Sequence, residues 1–420
     1  MAWFTRSTRM AHSIEPAACV RLALLWEPLS GSFRLGAAVL LVLFAIYGAI
    51  YLNLTAMRAA ADPINDFFGL WSAGRFLTGH PAAQVYDPAA LHAAQVALGM
   101  APQIDYPFPY PPSFLLVLGP LGQLPYWTAY AVAIGSSLLF FVWATVGRQW
   151  RSAPALAALL APTTTLVIVA GQTGCLEAAL LAGGFRLAGK RPVVAGILLG
   201  LLTYKPQIGI LVPVALLAAR LWRTIAAACI TAAVLVVASG AVFGSAIWTA
   251  WVGNMIGYAH QFSAENSEIA YLMPTVAERL VALGAAPAQA MAGQALAALA
   301  AAAAVWRCFR SGPTSLGAAA LFAATFLATP HAFVYDMPVV ATAVLWVVAD
   351  AQRKGEPFAS SEILVLILAL IAPITLAAGP TRFPLATVSL TLLVVLITRR
   401  IARLHLQSLW SAPSSPRAIG

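Results

Sequence analysis

Long apolar runs, separated by short basic or aromatic breaks, account for most of the chain. They recur at about 18–22 residues, the length a helix needs to cross the hydrocarbon of a bilayer. The runs are continuous rather than alternating, which fits helices and not a membrane β-barrel. In hydrocarbon a backbone segment must satisfy its own amides, and a helix does so within itself. The pattern therefore predicts an all-α polytopic membrane protein.

Read in order, the first span covers about 35–56, with Arg34 before it, and a long polar loop, 57–112, follows. Residues 113–147 are too long for one span; LGPLGQLP divides them into a re-entrant or interfacial piece, 113–121, and a second span, 125–147. A third span at about 153–170 and a fourth at about 174–189 come next. Residues 192–219 read as two short helices meeting near Tyr204, Lys205 and Pro206. The seventh span, about 224–244, leads to a second polar segment, 245–280, and the eighth, about 284–305, is Ala-rich. A ninth, about 315–329, reaches the corner TPHAFVYDMP; a tenth returns to Arg353 and Lys354, and spans at about 361–378 and 384–401 finish the bundle. Arg and Lys gather at alternate ends of these runs, as the positive-inside rule requires. The reading is about twelve crossings with both termini cytoplasmic.

Three regions follow. Residues 1–34 hold Arg6, Arg9, Arg21 and Arg34 around a short apolar patch and are expected to lie along the cytoplasmic surface. Residues 35–404 form the transmembrane domain, and 405–420 a cytoplasmic tail.

Composition sharpens this. Only 9% of residues are charged, against roughly 25% in a soluble domain, and the mean hydropathy is +0.84. The net charge of +10 comes from arginines at span ends rather than from a patch, so no nucleic-acid partner is expected. Cys19, Cys175, Cys229 and Cys308 show neither metal-ligand spacing nor a disulfide framework. No Walker loop or dinucleotide fingerprint is present, which argues against an ATP-driven pump or a nucleotide-sugar enzyme. Neither a metal nor a cofactor is expected.

The topology brings Asp62, Asp66, Asp87, Gln172, Glu177, Lys205, Glu265, His331, Tyr335 and Asp336 to the extracytoplasmic side. Lys205, between Tyr204 and Pro206-Gln207, reads as a cation holding a phosphate, or as a snorkelling lysine or a structural partner of Glu177. Asp66, in INDFFGLW, reads as a general base or as a helix N-cap. The stretch DFFGLWSAGRFLTG is spaced for an amphipathic interfacial helix, and YPFPYPPS, with Tyr110, for a rigid extended strap. Tyr86 and Asp87 read as a helix start. His331, Tyr335 and Asp336 crowd the outer corner, where Asp336 could touch His331, and Gln172 is a weaker candidate.

Several pieces, taken in order, resemble glycosyltransferase family 87, the polyprenol-phosphate-mannose-dependent mannosyltransferases of the GT-C fold. They are DFFGLWSAGRFLTGHPAAQVYDP, FPYPPSFLLVLGPLGQLP, AGQTGCLEAALLAG, KRPVVAGILLGLLTYKPQIGILVPVALLAARLW and TPHAFVYDMP. The resemblance implies a GT-C-type fold and a cell-membrane enzyme. It would move a hexose or pentose, such as mannose, from a polyprenyl-phosphate donor to a hydroxyl of a lipid or glycan acceptor. The aspartate of the first outer loop, here Asp66, would be the base, with Asp62 the alternative. Lys205 would contact the donor phosphate and His331 would face the same cavity; Tyr204, Gln207, Tyr335, Asp336, Gln172 and Tyr110 complete the candidate set. Glu177 departs from the family's usually uncharged pattern at that point. A lipid-linked sugar or small-molecule transporter is the competing class, since it would share the spans and the buried cation.

Overall fold

The structure, a computed structural model, describes residues 42–50, 65–147, 153–261, 269–379 and 383–410. Asp62, Glu265, Arg148 and Arg151 lie outside the described residues, as do all of 1–34 and the tail beyond 410. Among the described residues every regular element is helical. A helical stretch across 42–50 (α1) belongs to the first predicted span. The first polar segment then holds α2 (Phe67–Phe76), a 3-10 turn (Ala82–Tyr86) and α3 (Pro88–Ala97). Next come α4 (Pro112–Gly122), α5 (Tyr126–Val146), α6 (Ala153–Leu160), α7 (Pro162–Ala170) and α8 (Gly174–Leu187). These are followed by α9 (Pro192–Leu201), α10 (Val212–Ala218), α11 (Trp222–Phe243), α12 (Ala246–Gln261) and α13 (Val276–Ala282). The chain closes with α14 (Pro287–Phe309), α15 (Ser315–Ala328), α16 (Pro338–Lys354), α17 (Ser360–Ala377) and α18 (Leu385–Trp410).

Six of the described helices are long and apolar enough to cross a bilayer: α5, α11, α14, α16 with the turn before it, α17 and α18. Three shorter apolar helices, Pro112–Gly122, Pro192–Tyr204 and Ser315–Ala328, stand beside them. The protein is thus a multi-pass helical membrane protein. Its core is built on α15, whose residues from Leu316 to Ala328 are all buried. Ala and Gly dominate this helix, so α14, α16 and α18 can approach it closely. Thr314 caps it, Oγ1 accepting from the Gly317 N–H at 2.9 Å. By contrast α11 packs mainly on α9 and leaves Ile230, Val234, Val237 and Val242 on the outside, as a lipid-facing helix does.

Two expectations change, and one segment gains elements. The third span, 153–170, is two helices, because Pro162 lacks the amide that would continue α6 and instead starts α7. The second polar segment, 245–280, to which the sequence pattern assigns no elements, holds α12 and most of α13. The DFFGLW helix, α2, does not lie with one face free. Of its ten residues only Trp71 and Arg75 are not buried, because it is packed against α4, α3 and the strap before α4. The strap 106–111 is non-helical, as its prolines demand, and Pro112 opens α4. Likewise, 192–219 forms two short helices, with the 3-10 turn Leu202–Tyr204 and Lys205 between them.

Candidate active site

Two short turns, far apart in sequence, bring the polar candidates together. The first is AGQTG, the joint between α7 and α8. Gly171 ends α7 with φ 71°, a left-handed conformation that side chains disfavour, and a Cβ there would stand 2.5 Å from Cβ of Phe67. That bare backbone lets the start of α2 lie against the joint. Asn65 fastens it: Nδ2 donates to the Val169 carbonyl at 3.1 Å, while Oδ1 accepts from Tyr126 Oη at 2.8 Å and the Phe67 N–H at 3.1 Å. The second turn is the corner 329–337. Here Gly174, at the start of α8, comes so near that a Cβ would stand 1.8 Å from the Tyr335 carbonyl oxygen.

Asn65, not Asp66, supplies the cap-like contact to α2, and the Asp66 side chain makes no cap bond. It turns instead to the α7–α8 joint, where Oδ2 accepts from Gln172 Nε2 at 3.1 Å. Gln172 Oε1 in turn accepts from Tyr110 Oη at 3.4 Å. A two-bond chain therefore links Asp66 to the strap before α4. Burial raises the Asp66 carboxyl above its ordinary value, and the Gln172 bond opposes that only in part. The group is a carboxylate with one neutral donor and no cation, which makes it a stronger base than an exposed aspartate.

Lys205 occupies the centre. Its Nζ donates to Glu177 Oε1 at 2.7 Å and to Asp336 Oδ1 at 2.5 Å, and lies 5.4 Å from the centre of the Tyr335 ring. The residue is 5% exposed. It does not snorkel; it is held by two carboxylates where the sequence offered one. Glu177 Oε1 also accepts from Thr173 Oγ1 at 2.8 Å, whereas its Oε2 is buried without a partner. Asp336 Oδ2 accepts from the Phe333 N–H at 2.8 Å and so closes the corner's 3-10 turn. Asp336 therefore faces Lys205 and does not bond His331. The His331 ring packs edge-on against Phe333 and Tyr258 instead, and burial holds its imidazole below the usual value.

These groups line a cavity of about 490 Å³. Tyr110, Tyr204, Lys205, Gln207, His331, Tyr335 and Asp336 all face it, so seven of the candidates share one chamber. Asp66 and Gln172 stand one hydrogen bond and more behind Tyr110, and do not line it. Tyr204 stacks on Phe114 of α4, with ring centres 4.5 Å apart. Asp87 is elsewhere: it caps α3, its Oδ1 accepting from the Ala89 N–H at 3.0 Å, while Tyr86 Oη donates to the Tyr110 carbonyl at 2.8 Å.

Sequence reasoning missed one wall of the chamber. Trp251, Met255 and Tyr258 of α12 and Glu278 of α13 line it, and Trp251 Nε1 donates to the Pro109 carbonyl at 3.0 Å. The available signal was the clustering of aromatics with Glu278 in the second polar segment, 245–280.

The chamber joins an ammonium, a ring of aromatic side chains and a hydrogen-bonded path to a poorly solvated carboxylate. That combination can bind an amphiphilic anion with a hydroxylated group, and it keeps a carboxylate base two hydrogen bonds behind the Tyr110 wall. No curated protein and no solved structure matches the chain. A family model does: that of glycosyltransferase family 87, over residues 108–330. The match takes in Tyr110, Gln172, Lys205 and the α12–α13 wall, while Asp66, Tyr335 and Asp336 fall outside its limits. The chain belongs to glycosyltransferase family 87, a family of membrane glycosyltransferases.

Proposed function

We propose that the protein transfers a sugar, mannose or another hexose or pentose, from a polyprenyl-phosphate donor to a hydroxyl of a lipid or glycan acceptor. The site faces the extracytoplasmic side of the cell membrane, within a GT-C-type bundle of about twelve crossings. The observation that carries this reading is the position of Lys205 in an aromatic-walled chamber. An ammonium has three donors, and Glu177 and Asp336 take two. The third can meet a donor phosphate, with Tyr335 and Tyr204 beside it. A monophosphate ester leaves readily when a cation meets its charge, and one cation is what the chamber offers.

Asp66, or Asp62 in its place, is the base. It takes the proton of the acceptor hydroxyl, and the oxygen attacks the anomeric carbon. The bond from that carbon to the phosphate oxygen breaks, and its electron pair stays on the phosphate. One displacement inverts the anomeric centre. Gln172 and Tyr110 hold the base in line with the chamber, neutral His331 is an uncharged hydrogen-bonding group for sugar hydroxyls, and Gln207 is a further polar contact.

The experiment is sugar transfer by the purified protein in nanodiscs, with a panel of polyprenyl-phosphate sugars and with Asp66→Asn and Asp62→Asn beside the wild type. Turnover by the wild type, lost in a folded Asp66→Asn, supports the assignment; loss in Asp62→Asn alone moves the base there. A folded wild type that transfers from no donor overturns the reading and favours transport of a lipid-linked sugar.

A further inference from the structure

The chamber contains a second carboxylate that the reaction above does not use. Glu278 lies on α13, one turn into the helix, and is 93% buried, its residue being 7% exposed. It lines the same cavity as Lys205 and Tyr335. Among the described residues it makes no hydrogen bond and no ion pair, unlike Glu177, Asp336, Asp350 and Glu362, which all have cationic partners. Its neighbour Arg279 takes a different direction, donating from Nη2 to the Tyr271 carbonyl at 3.2 Å and lining a groove against α18.

A buried carboxylate without hydrogen bonds is costly unless something satisfies its lone pairs. Burial pushes this one up to about 6, with Arg279 opposing, so near neutral pH it is still mostly ionised. It is not placed to grip the phosphate: it would repel that charge, and Lys205 is the cation. The chamber it lines also presents Trp251, Tyr258 and Met291, which are aromatic or apolar, together with the polar Gln207 and His331. A carboxylate sharing a chamber with aromatic faces matches a sugar ring, whose hydroxyls donate to the oxygens while its C–H face covers the aromatics.

We propose that Glu278 is a sugar-binding residue of the chamber, accepting hydrogen bonds from hydroxyls of a pyranose ring. The proposal deepens the glycosyl-transfer reading, from which it takes its probes. The sugar can be that of the donor or that of the acceptor, and the test separates them. Binding is followed by tryptophan emission in nanodiscs, since Trp251 lines the chamber. The probes are farnesyl-phosphoryl-mannose, farnesyl phosphate and octyl α-mannoside. In Glu278→Gln, at least one sugar-bearing probe should weaken by about tenfold, the size of one lost charge-assisted hydrogen bond. Farnesyl phosphate should stay within about twofold or bind more tightly, because a negative charge has gone.

Weakening of farnesyl-phosphoryl-mannose assigns Glu278 to the donor sugar; weakening of octyl α-mannoside alone assigns it to the acceptor. Glu278→Asp, which keeps the charge on a shorter stem, should lose less and gives a second reading by the same criterion. Equal weakening of all three probes overturns the proposal, as does no weakening of either sugar-bearing probe. A wild type that binds neither sugar-bearing probe also overturns it. Because these are binding measurements, they are distinguished from a failure of the transfer reaction, which shows only in the turnover assay.

Discussion

Lys205→Met leaves Glu177 and Asp336, each nearly free of solvent contact, with the ammonium they shared replaced by a thioether. Removing one member of a buried ionic group costs on the order of 3–5 kcal/mol, because the remaining charge is stranded. Here two like charges are stranded together. Both oxygens lay on one nitrogen, at 2.7 and 2.5 Å, so they are no more than about 5 Å apart, and their repulsion is at least on the order of 3 kcal/mol at an effective dielectric of 20. Protonation of one carboxyl relieves part of this. The single variant should therefore lose roughly 3–5 kcal/mol, read as a lower Tm in nanodiscs by tryptophan fluorescence. The triple variant Lys205→Met/Glu177→Gln/Asp336→Asn carries no stranded charge and should regain most of that loss. Glu177→Gln alone should be neutral or stabilising, since it leaves a one-to-one pair where two carboxylates met one ammonium. Turnover must behave differently: it should stay lost in the triple variant, because the phosphate has no cation. A triple variant no more stable than Lys205→Met would refute the ionic account, and an active triple variant would refute the role of Lys205 at the phosphate.

Two further predictions rest on the joints around the cavity. Asp66 must be ionised to act as base, and burial raises its carboxyl, so turnover should be full above that raised value. It should fall as pH drops through it, with an acid limb above the ordinary aspartate range of about 4; a limb below 4 would remove Asp66 from the role. Gly174→Ala places a Cβ against the Tyr335 carbonyl oxygen and must part α8 from the corner that carries Asp336. A loss of at least tenfold in turnover is expected, with a lower Tm; an unaffected variant would show that this contact does not set the site.

The apolar pattern was enough for the helices and for the break at Tyr204–Lys205, because length and proline placement act locally. It also grouped Asp66, Gln172, Lys205 and Asp336, and the structure joins Asp66 to Gln172 and Lys205 to Asp336. What it left out depended on contact between distant segments. Glu177 read as an oddity because the second carboxylate on its partner Lys205, Asp336, lies far along the chain in the turn before α16. Asp66 and Asn65 are both good N-caps by type, and only the approach of Gly171 decides which one turns toward Gln172. The burial of α2 was misjudged for the same reason. Its spacing has an amphipathic look, but the polar positions Ser72 and Gly74 are covered by Gln95 and by α4.

That burial has a consequence for traffic through the site. Lifting α2 away would bring Phe67, Phe68, Leu70 and Phe76 out of the protein interior. At about 1.5–3 kcal/mol for each large apolar side chain, the lifted state lies on the order of 6–12 kcal/mol above the seated one. Fewer than about one molecule in ten thousand would then be open at any moment. α2, with the proposed base Asp66 at its start, is fixed packing outside the chamber lining, and any route for substrates must open while it stays seated.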